Sequence, residues 1–299
     1  MLTKSYLTRR SLIILVFCTY LGCDMKPLNE IPVATADPDT LAIYQRLMTA
    51  AGSGSPALIF RHMAVTPGLL DWVWQAVGDD VKTGWVPEAV WDIIAATRPV
   101  HIDPITPSVL TETGIDADAR SVISGMLISY NRMNPLNLIL TGAIRMLISG
   151  ASLPKTAQRA PKQVSSPPPA PTQLPPPPKI SELEPALQDA IRRLCKTLPD
   201  VGGEVTPTLY RHFAIWPRFM MDVAHRLTVQ LDELDRATHA MNVACEPLIL
   251  EFAQRAKARL VDPPPTTDLS GLITVLDGFG YVIPHLVVVG SAIDAALLE

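Results

Sequence analysis

An arginine–histidine pair occurs twice in the sequence, and these residue types can bind anions or transfer protons. Arg61-His62 lies in IFRHMAVTPGLL and Arg211-His212 lies in LYRHFAIWPRF. Because an arginine fork suits a carboxylate, Arg61 and Arg211 are candidate anchors for an anionic substrate; an ion pair with a neighbouring acid is the alternative. We expect the two histidines to be packed or exposed side chains rather than a base or metal pair.

Two further polar residues have sequence contexts that fit chemistry. Asn134 precedes Pro135, and its amide can both donate to and accept from one water molecule. The same asparagine would also cap a helix that Pro135 opens, since Asn is a favoured N-cap and proline suits the first helical turn. Glu204 follows two glycines on a predicted loop, so it could swing into a site, although loop carboxylates are usually solvated.

Composition and spacing exclude several classes of function. The 4 cysteines show no Cys-x-x-Cys or Cys/His pair with metal-ligand spacing, so we predict neither a metal site nor a disulfide framework. The formal charge of −4 and an aromatic content of 6% argue against nucleic acid as the main partner.

The elements that must position these residues are predicted to be helices in two homologous repeats. The two arginine–histidine segments match each other, and NPLNLIL matches IPHLVVV later in the chain. Apolar residues in 39–51 follow a helical period, and no run of alternating strands is found. We therefore predict an all-α fold with repeat 1 at 25–152 and repeat 2 at 181–299. The repeats would close as an intramolecular pseudo-dimer around a ligand cleft.

Individual helices are predicted from the same periodicity. Residues 116–130 and 134–148 are predicted to form an antiparallel pair joined by a tight link at 131–133. In the second repeat, helices are predicted at 181–198, 216–229, 232–260 and 281–298, with Pro247 breaking or kinking the third of these.

A proline-rich segment and an apolar leader lie outside the repeats. Residues 153–179 hold 10 of the 29 prolines, which predicts an extended linker at 153–180 or, alternatively, a ligand for a proline-recognising module. Residues 1–24 place basic residues before an apolar run, which is typical of a signal sequence. A true start at Met25 is the alternative. The first interpretation predicts an exported or membrane-attached protein, and the second a cytoplasmic one.

From residue 25 to the C-terminus the chain resembles the group I, or DehI-type, 2-haloacid dehalogenases. The segments that carry the resemblance are, in order, NEIPVATADPDTLAIYQRL, FRHMAVTPGLL, ISYNRMNPLNLIL and FAIWPRF. The resemblance implies an all-helical pseudo-dimer of AhpD-like units, monomeric or homodimeric as a protein. It also implies hydrolysis of small 2-halocarboxylates of both hands by an activated water, without a metal, a cofactor or a covalent intermediate.

The resemblance implies roles for residues of the water site. Asn134 matches the asparagine that orients the water, and Thr208 matches the serine that precedes the family's catalytic aspartate. Leu209 stands at the position of that aspartate and cannot accept a proton, so Glu204 is the candidate replacement.

Other positions of this sequence match residues that line the family's substrate pocket. An aromatic pair of the family falls on Ser55 and Leu58, a tyrosine of the last helix falls on Tyr281, and Arg61 is the candidate carboxylate anchor. Two hypotheses follow: a dehalogenase-like hydrolase, or a diverged, non-catalytic protein that binds a small carboxylate.

Overall fold

The computed structural model describes residues 28–150, 153, 168–169, 174–195, 207–260, 262–266 and 268–298. Over these residues the chain forms helices and no strand, as predicted. The α-helices are α1 Pro38–Ala51, α2 Leu58–Met63, α3 Leu69–Lys82, α4 Trp85–Ala95, α5 Pro107–Glu112, α6 Ala117–Ile148, α7 Pro185–Leu194, α8 Thr208–Phe213, α9 Pro217–Val229, α10 Leu231–Arg259 and α11 Ser270–Leu298. The predicted leader at 1–24 and Glu204 lie outside the described residues.

Helix α1 shows how local sequence sets the helix ends. The Asp37 carboxylate accepts hydrogen bonds from the backbone amides of Asp39 and Thr40, both at 3.0 Å, and so caps the helix start. Gly52 ends the helix in the left-handed conformation, with a φ of 58° that favours glycine. The predicted helix at 39–51 is thereby confirmed.

The predicted break in the middle of the first repeat is wrong. Residues 117–148 form one continuous helix, α6, with Pro135 inside it. A single proline removes only one backbone N–H donor and leaves the rest of the ladder intact. Both halves of α6 are buried around the proline, so packing keeps the helix continuous. Asn134 therefore lies in mid-helix, and its interpretation as an N-cap is also wrong.

The helices of the second repeat also differ from their predicted bounds. Pro247 does not break α10, and α11 begins at Ser270 rather than near residue 281. Helix α11 is long and apolar enough to cross a membrane, but most of it is buried inside the protein, as is typical of a core helix.

The core is organised by the antiparallel packing of α6 and α11. Asn131 of α6 meets Gly290 of α11, where a Cβ would lie 2.2 Å from Asn131 Oδ1. Fourteen residues further along α6, Arg145 pairs with Asp277, at 2.6 Å from Nε to Oδ1. The glycine thus allows the close approach of the helices on which the predicted site residues lie.

A buried ion cluster joins the first half of the chain to the second. Asp80 of α3 accepts hydrogen bonds from Arg255 Nη2 at 2.6 Å and from Arg259 Nη1 at 2.8 Å, both on α10. Burial alone would raise the pKa of Asp80, but the two guanidinium groups hold it below its usual value. The carboxylate therefore stays ionised in the interior.

The order of elements recurs along the chain, in keeping with the predicted duplication. Each half has a short 3-10 turn, a longer helix, a six-residue helix with the Arg-His pair, further helices and a long apolar final helix. The pseudo-dimer and the repeat boundaries stay predictions.

The described part of the proline-rich linker lies on the helices rather than free of them. We call residues 168–169 and 174–179 the proline strap. Arg132 Nη1 donates to the carbonyl of Pro169 at 2.9 Å, and Arg211 Nε donates to that of Pro178 at 2.9 Å. The strap forms no helix or strand, and basic side chains of the helical body hold it in place; its extended conformation stays a prediction.

Candidate functional site

The candidate site is built on one polar stripe of helix α6. Tyr130, Asn134 and Asn137 recur at intervals of four and three residues, which places them on one face of a helix. Asn134 is 7% exposed and Asn137 is 3% exposed. Asn134 Nδ2 and Asn137 Oδ1 are both buried without a hydrogen-bond partner among the described residues. Buried polar atoms are nearly always paired, so this unpaired donor and acceptor, three residues apart on one helix, make the stripe a candidate binding site.

Tyr130 connects this stripe to α8 and to the proline strap. The hydroxyl of Tyr130 lies 2.6 Å from His212 Nδ1, and His212 Nε2 lies 2.8 Å from the carbonyl of Pro175. A carbonyl can only accept, so Nε2 carries the proton and donates, and Tyr130 donates to Nδ1 of the neutral ring. Burial lowers the pKa of His212 and so favours this uncharged form.

A second tyrosine–histidine pair ties α8 to α11. Tyr210 Oη and His285 Nε2 share a hydrogen bond of 2.9 Å, and both residues are almost fully buried. Burial lowers the pKa of His285 to about 4 and raises the pKa of Tyr210 well above its usual value. Both groups are therefore neutral near pH 7, and α8 is fixed between the two long helices.

Thr208 and Leu209, which match the family's serine and catalytic aspartate, lie at the start of α8. Thr208 is the first residue of the helix and is half-buried, whereas Leu209 is fully buried in the core. The helix packs against α6. This leaves residue 209 as an apolar core position and gives the site no carboxylate there.

The predicted pocket residues of the first repeat lie on or just after a loop that is bonded to α6. Ser55 and Leu58 are both half-buried. The Ser53 hydroxyl bonds to the Ser129 hydroxyl at 2.9 Å and donates to the carbonyl of Ser55 at 3.0 Å. The loop that holds Ser55 is thereby attached to α6 one residue before Tyr130.

Arg61 and Tyr281 are placed differently from the other candidates. Arg61 Nη1 lies 2.7 Å from Glu30 Oε2, so the first arginine of the repeated pair has an acidic partner. Arg211 instead binds the proline strap. Tyr281 is 48% exposed and directs much of its side chain to solvent.

The two repeated histidines have separate environments. His62 Nδ1 lies 2.8 Å from the carbonyl of Asn29, whereas His212 lies between Tyr130 and the strap. Among the described residues no three His, Cys, Asp or Glu side chains come together as a metal site would require.

Sequence reasoning missed most of this network. Asn137, Tyr130, Tyr210 and His285 were not singled out, although the spacing of tyrosine and two asparagines on an otherwise apolar helix was a usable signal. Their partners are 75 to 82 residues apart in the chain, which local patterns do not report.

The fold belongs with that of solved D-2-haloacid dehalogenase structures. A D-2-haloacid dehalogenase in complex with L-LA superposes with a TM-score of 0.70 at 19% identity, covering 93% of this chain and 98% of that one. A mutant in complex with D-2-CPA gives a TM-score of 0.69 at 19% identity, over 92% and 97% of the two chains. A further mutant gives 0.69 at 18% identity. Identities this low show a shared fold and no more.

No protein-family model matches the chain, and no curated protein matches it either.

Proposed function

We propose that this protein is a 2-haloacid dehalogenase-like hydrolase that uses the polar stripe of α6 to hold a small 2-halocarboxylate and a water molecule. The observation that carries the proposal is the buried, unpaired amide of Asn134. The dehalogenase-like fold supports the reaction class, and the predicted match of Asn134 to a water-orienting asparagine supports its role.

Asn137 completes the proposed water site. Residues three apart on a helix have Cβ atoms about 5–6 Å apart. In the proposed site one water molecule bridges the two amides through hydrogen bonds of about 2.8 Å each. It would accept from Asn134 Nδ2 and donate to Asn137 Oδ1, which leaves a lone pair for attack on carbon 2.

The proposed reaction needs a proton acceptor. Water oxygen bonds to carbon 2, the carbon–halogen bond breaks with its electron pair leaving on the halide, and a base takes the water proton. Leu209 cannot be this base, and the neutral His285 already shares its Nε2 with Tyr210. Glu204 remains the proposed base, and Thr208 the proposed hydroxyl beside the water.

A binding-only protein is the second candidate function. The complete burial of Leu209 favours it, because the position of the missing aspartate is filled by an apolar core residue. In that case the same stripe binds a small carboxylate or 2-hydroxycarboxylate without turnover.

Halide release tests the first candidate. Purified protein is incubated with each enantiomer of 2-chloropropionate, and chloride is measured over time. We expect release by the unchanged protein and at least about a hundredfold loss in Asn134→Leu, because positioned proton-transfer and water-holding groups contribute about that much. Thr141→Val is the matched control on the same face of α6, since the Thr141 hydroxyl bonds only to carbonyls of its own helix.

Leu209→Asp separates the two candidates. If only the base is lacking, this change raises chloride release, and adding Asn134→Leu removes the gain. No chloride from any variant, together with 2-chloropropionate binding that Asn134→Leu abolishes, supports the binding-only protein. Absence of both release and binding, in variants whose circular dichroism shows a folded chain, contradicts both candidates.

A further inference from the structure

A cavity of about 710 Å³ lies on the far side of α6 from the candidate site. Helix α1, the corner between α3 and α4, and Arg132 of α6 enclose it. Arg132 and Asn134 are two residues apart, and two residues turn a helix by about 200°. The cavity and the polar stripe therefore face opposite sides of α6. A volume in this range is typical of pockets for organic ligands much larger than a three-carbon acid.

Basic side chains dominate the lining of this cavity. Arg46, Lys82 and Arg132 line it, against the single acid Glu88. Lys82 Nζ has an exposed carboxylate, Asp79, at 3.7 Å, which is a weak surface pair. The lining is thus positive in a chain whose formal charge is −4.

Arg132 is half-buried, whereas Arg46 and Lys82 are exposed, and it is bonded to uncharged groups. Its Nη1 donates to the carbonyls of Pro169 at 2.9 Å and Gly52 at 3.4 Å. These bonds fix the guanidinium at the cavity wall, and no carboxylate pairs with it among the described residues. Burial lowers the pKa of Arg132, as expected for a guanidinium that lacks a counter-ion.

An aromatic and apolar wall faces these charges. Trp91 lines the cavity together with Pro87 and Val81. The Trp91 indole N–H donates to the carbonyl of Arg132 at 3.1 Å, so the ring is held in one orientation. A flat apolar body can pack on such a ring at little entropic cost, because the ring is already ordered.

We propose that this cavity is a second binding site, for an organic anion that has a carboxylate or phosphate head group on a flat apolar body. The head group pairs with Arg46, Lys82 and Arg132, and the apolar body packs against Trp91 and Pro87. Arginine forks and a lysine ammonium suit both head groups. The site does not depend on the proposed hydrolase function.

Isothermal titration calorimetry with 2-naphthoate and with 2-naphthyl phosphate tests the proposal, with naphthalen-2-ylmethanol as the uncharged comparison. We expect saturable one-to-one binding of at least one of the anions and none of the alcohol. Arg46→Gln/Lys82→Gln should weaken anion binding about fivefold to tenfold in all, since both side chains are exposed and an exposed charge pair contributes only modestly. The tighter of the two anions identifies the preferred head group.

Arg120→Gln/Arg193→Gln is the matched control, because it removes the same charge from two exposed positions that do not line the cavity. It should leave anion binding unchanged. Three results would each overturn the proposal: no saturable binding of either anion, equal binding of the alcohol, or equal weakening by the control variant. Halide release is measured separately, so failure here is distinct from failure of the hydrolase proposal.

Discussion

His285 and His212 are imidazoles whose environment fixes their charge. Each bonds to a tyrosine hydroxyl, at 2.9 Å and 2.6 Å respectively, inside the helical body. An imidazolium donates from both ring nitrogens and so cannot accept a hydrogen bond from a tyrosine hydroxyl, and it loses its hydration on burial. These residues hold α8 in place as neutral hydrogen-bonding groups rather than as charged ones.

The burial of His285 makes the stability of the protein depend on pH. Its pKa is about 4 in the folded chain, while an unfolded histidine keeps the ordinary value of 6.5. Between these values the unfolded state binds a proton that the folded state does not. The free energy of unfolding therefore falls as the pH is lowered from about 6.5 towards 4, by about 3 kcal/mol in all.

Urea unfolding at about pH 7 and about pH 4.5 measures this loss. Carboxylates also titrate in this range, so His285→Gln is the comparison: its stability should fall less steeply with acid than that of the unchanged protein. Parallel pH profiles for the two proteins would remove His285 as the cause.

At the scale of elements, helical periodicity predicted which segments are helical better than it predicted where one helix ends and the next begins. Residues 39–51 were predictable because their cap, period and terminal glycine all agree. The continuity of α6 was not, since Asn131 to Pro135 has the local signature of a turn, while the packing that overrides it comes from α11, far along the chain. Asn134 was predictable as a polar residue beside a proline. That its buried amide nitrogen is unpaired, and that Asn137 lies on the same helix face, depends on the intact helix.

Pro247 offers a test of what a proline costs inside these helices. It is exposed in the middle of α10, where it removes a backbone hydrogen bond and crowds the preceding turn. Pro247→Ala should raise the free energy of unfolding by about 1–3 kcal/mol, as measured by urea unfolding. Pro135→Ala should gain less, because Pro135 is buried and the smaller side chain leaves a cavity. An unchanged stability of Pro247→Ala would indicate that α10 already accommodates the proline without strain.

At the scale of the whole molecule, the Asp80 cluster connects helices that are 175 residues apart in sequence. One carboxylate holds two guanidinium groups, and Arg255 also lies over the Trp85 ring, 4.8 Å from its centroid. No sequence pattern predicted this cluster, because its members are distant along the chain and each of them alone resembles a surface charge.

Asp80→Asn should lower the free energy of unfolding by about 3–5 kcal/mol, because it removes the buried carboxylate to which both Arg255 and Arg259 are bonded. Asp277→Asn is the matched control: it breaks the ion pair with Arg145, in which the Asp277 side chain is 49% exposed, and should cost about 1 kcal/mol or less. Thermal or urea unfolding compares the two. Equal costs would show that Asp80 acts as an ordinary surface charge.

The proline strap is bound through its carbonyl oxygens, which every amino acid possesses, by side chains of Arg132, Arg211 and His212. Specific recognition is therefore encoded in the helices and not in the strap. Substitutions in the strap should be tolerated wherever its backbone keeps the same course. Substitutions of Arg132, Arg211 or His212, which bind the strap, should be tolerated far less.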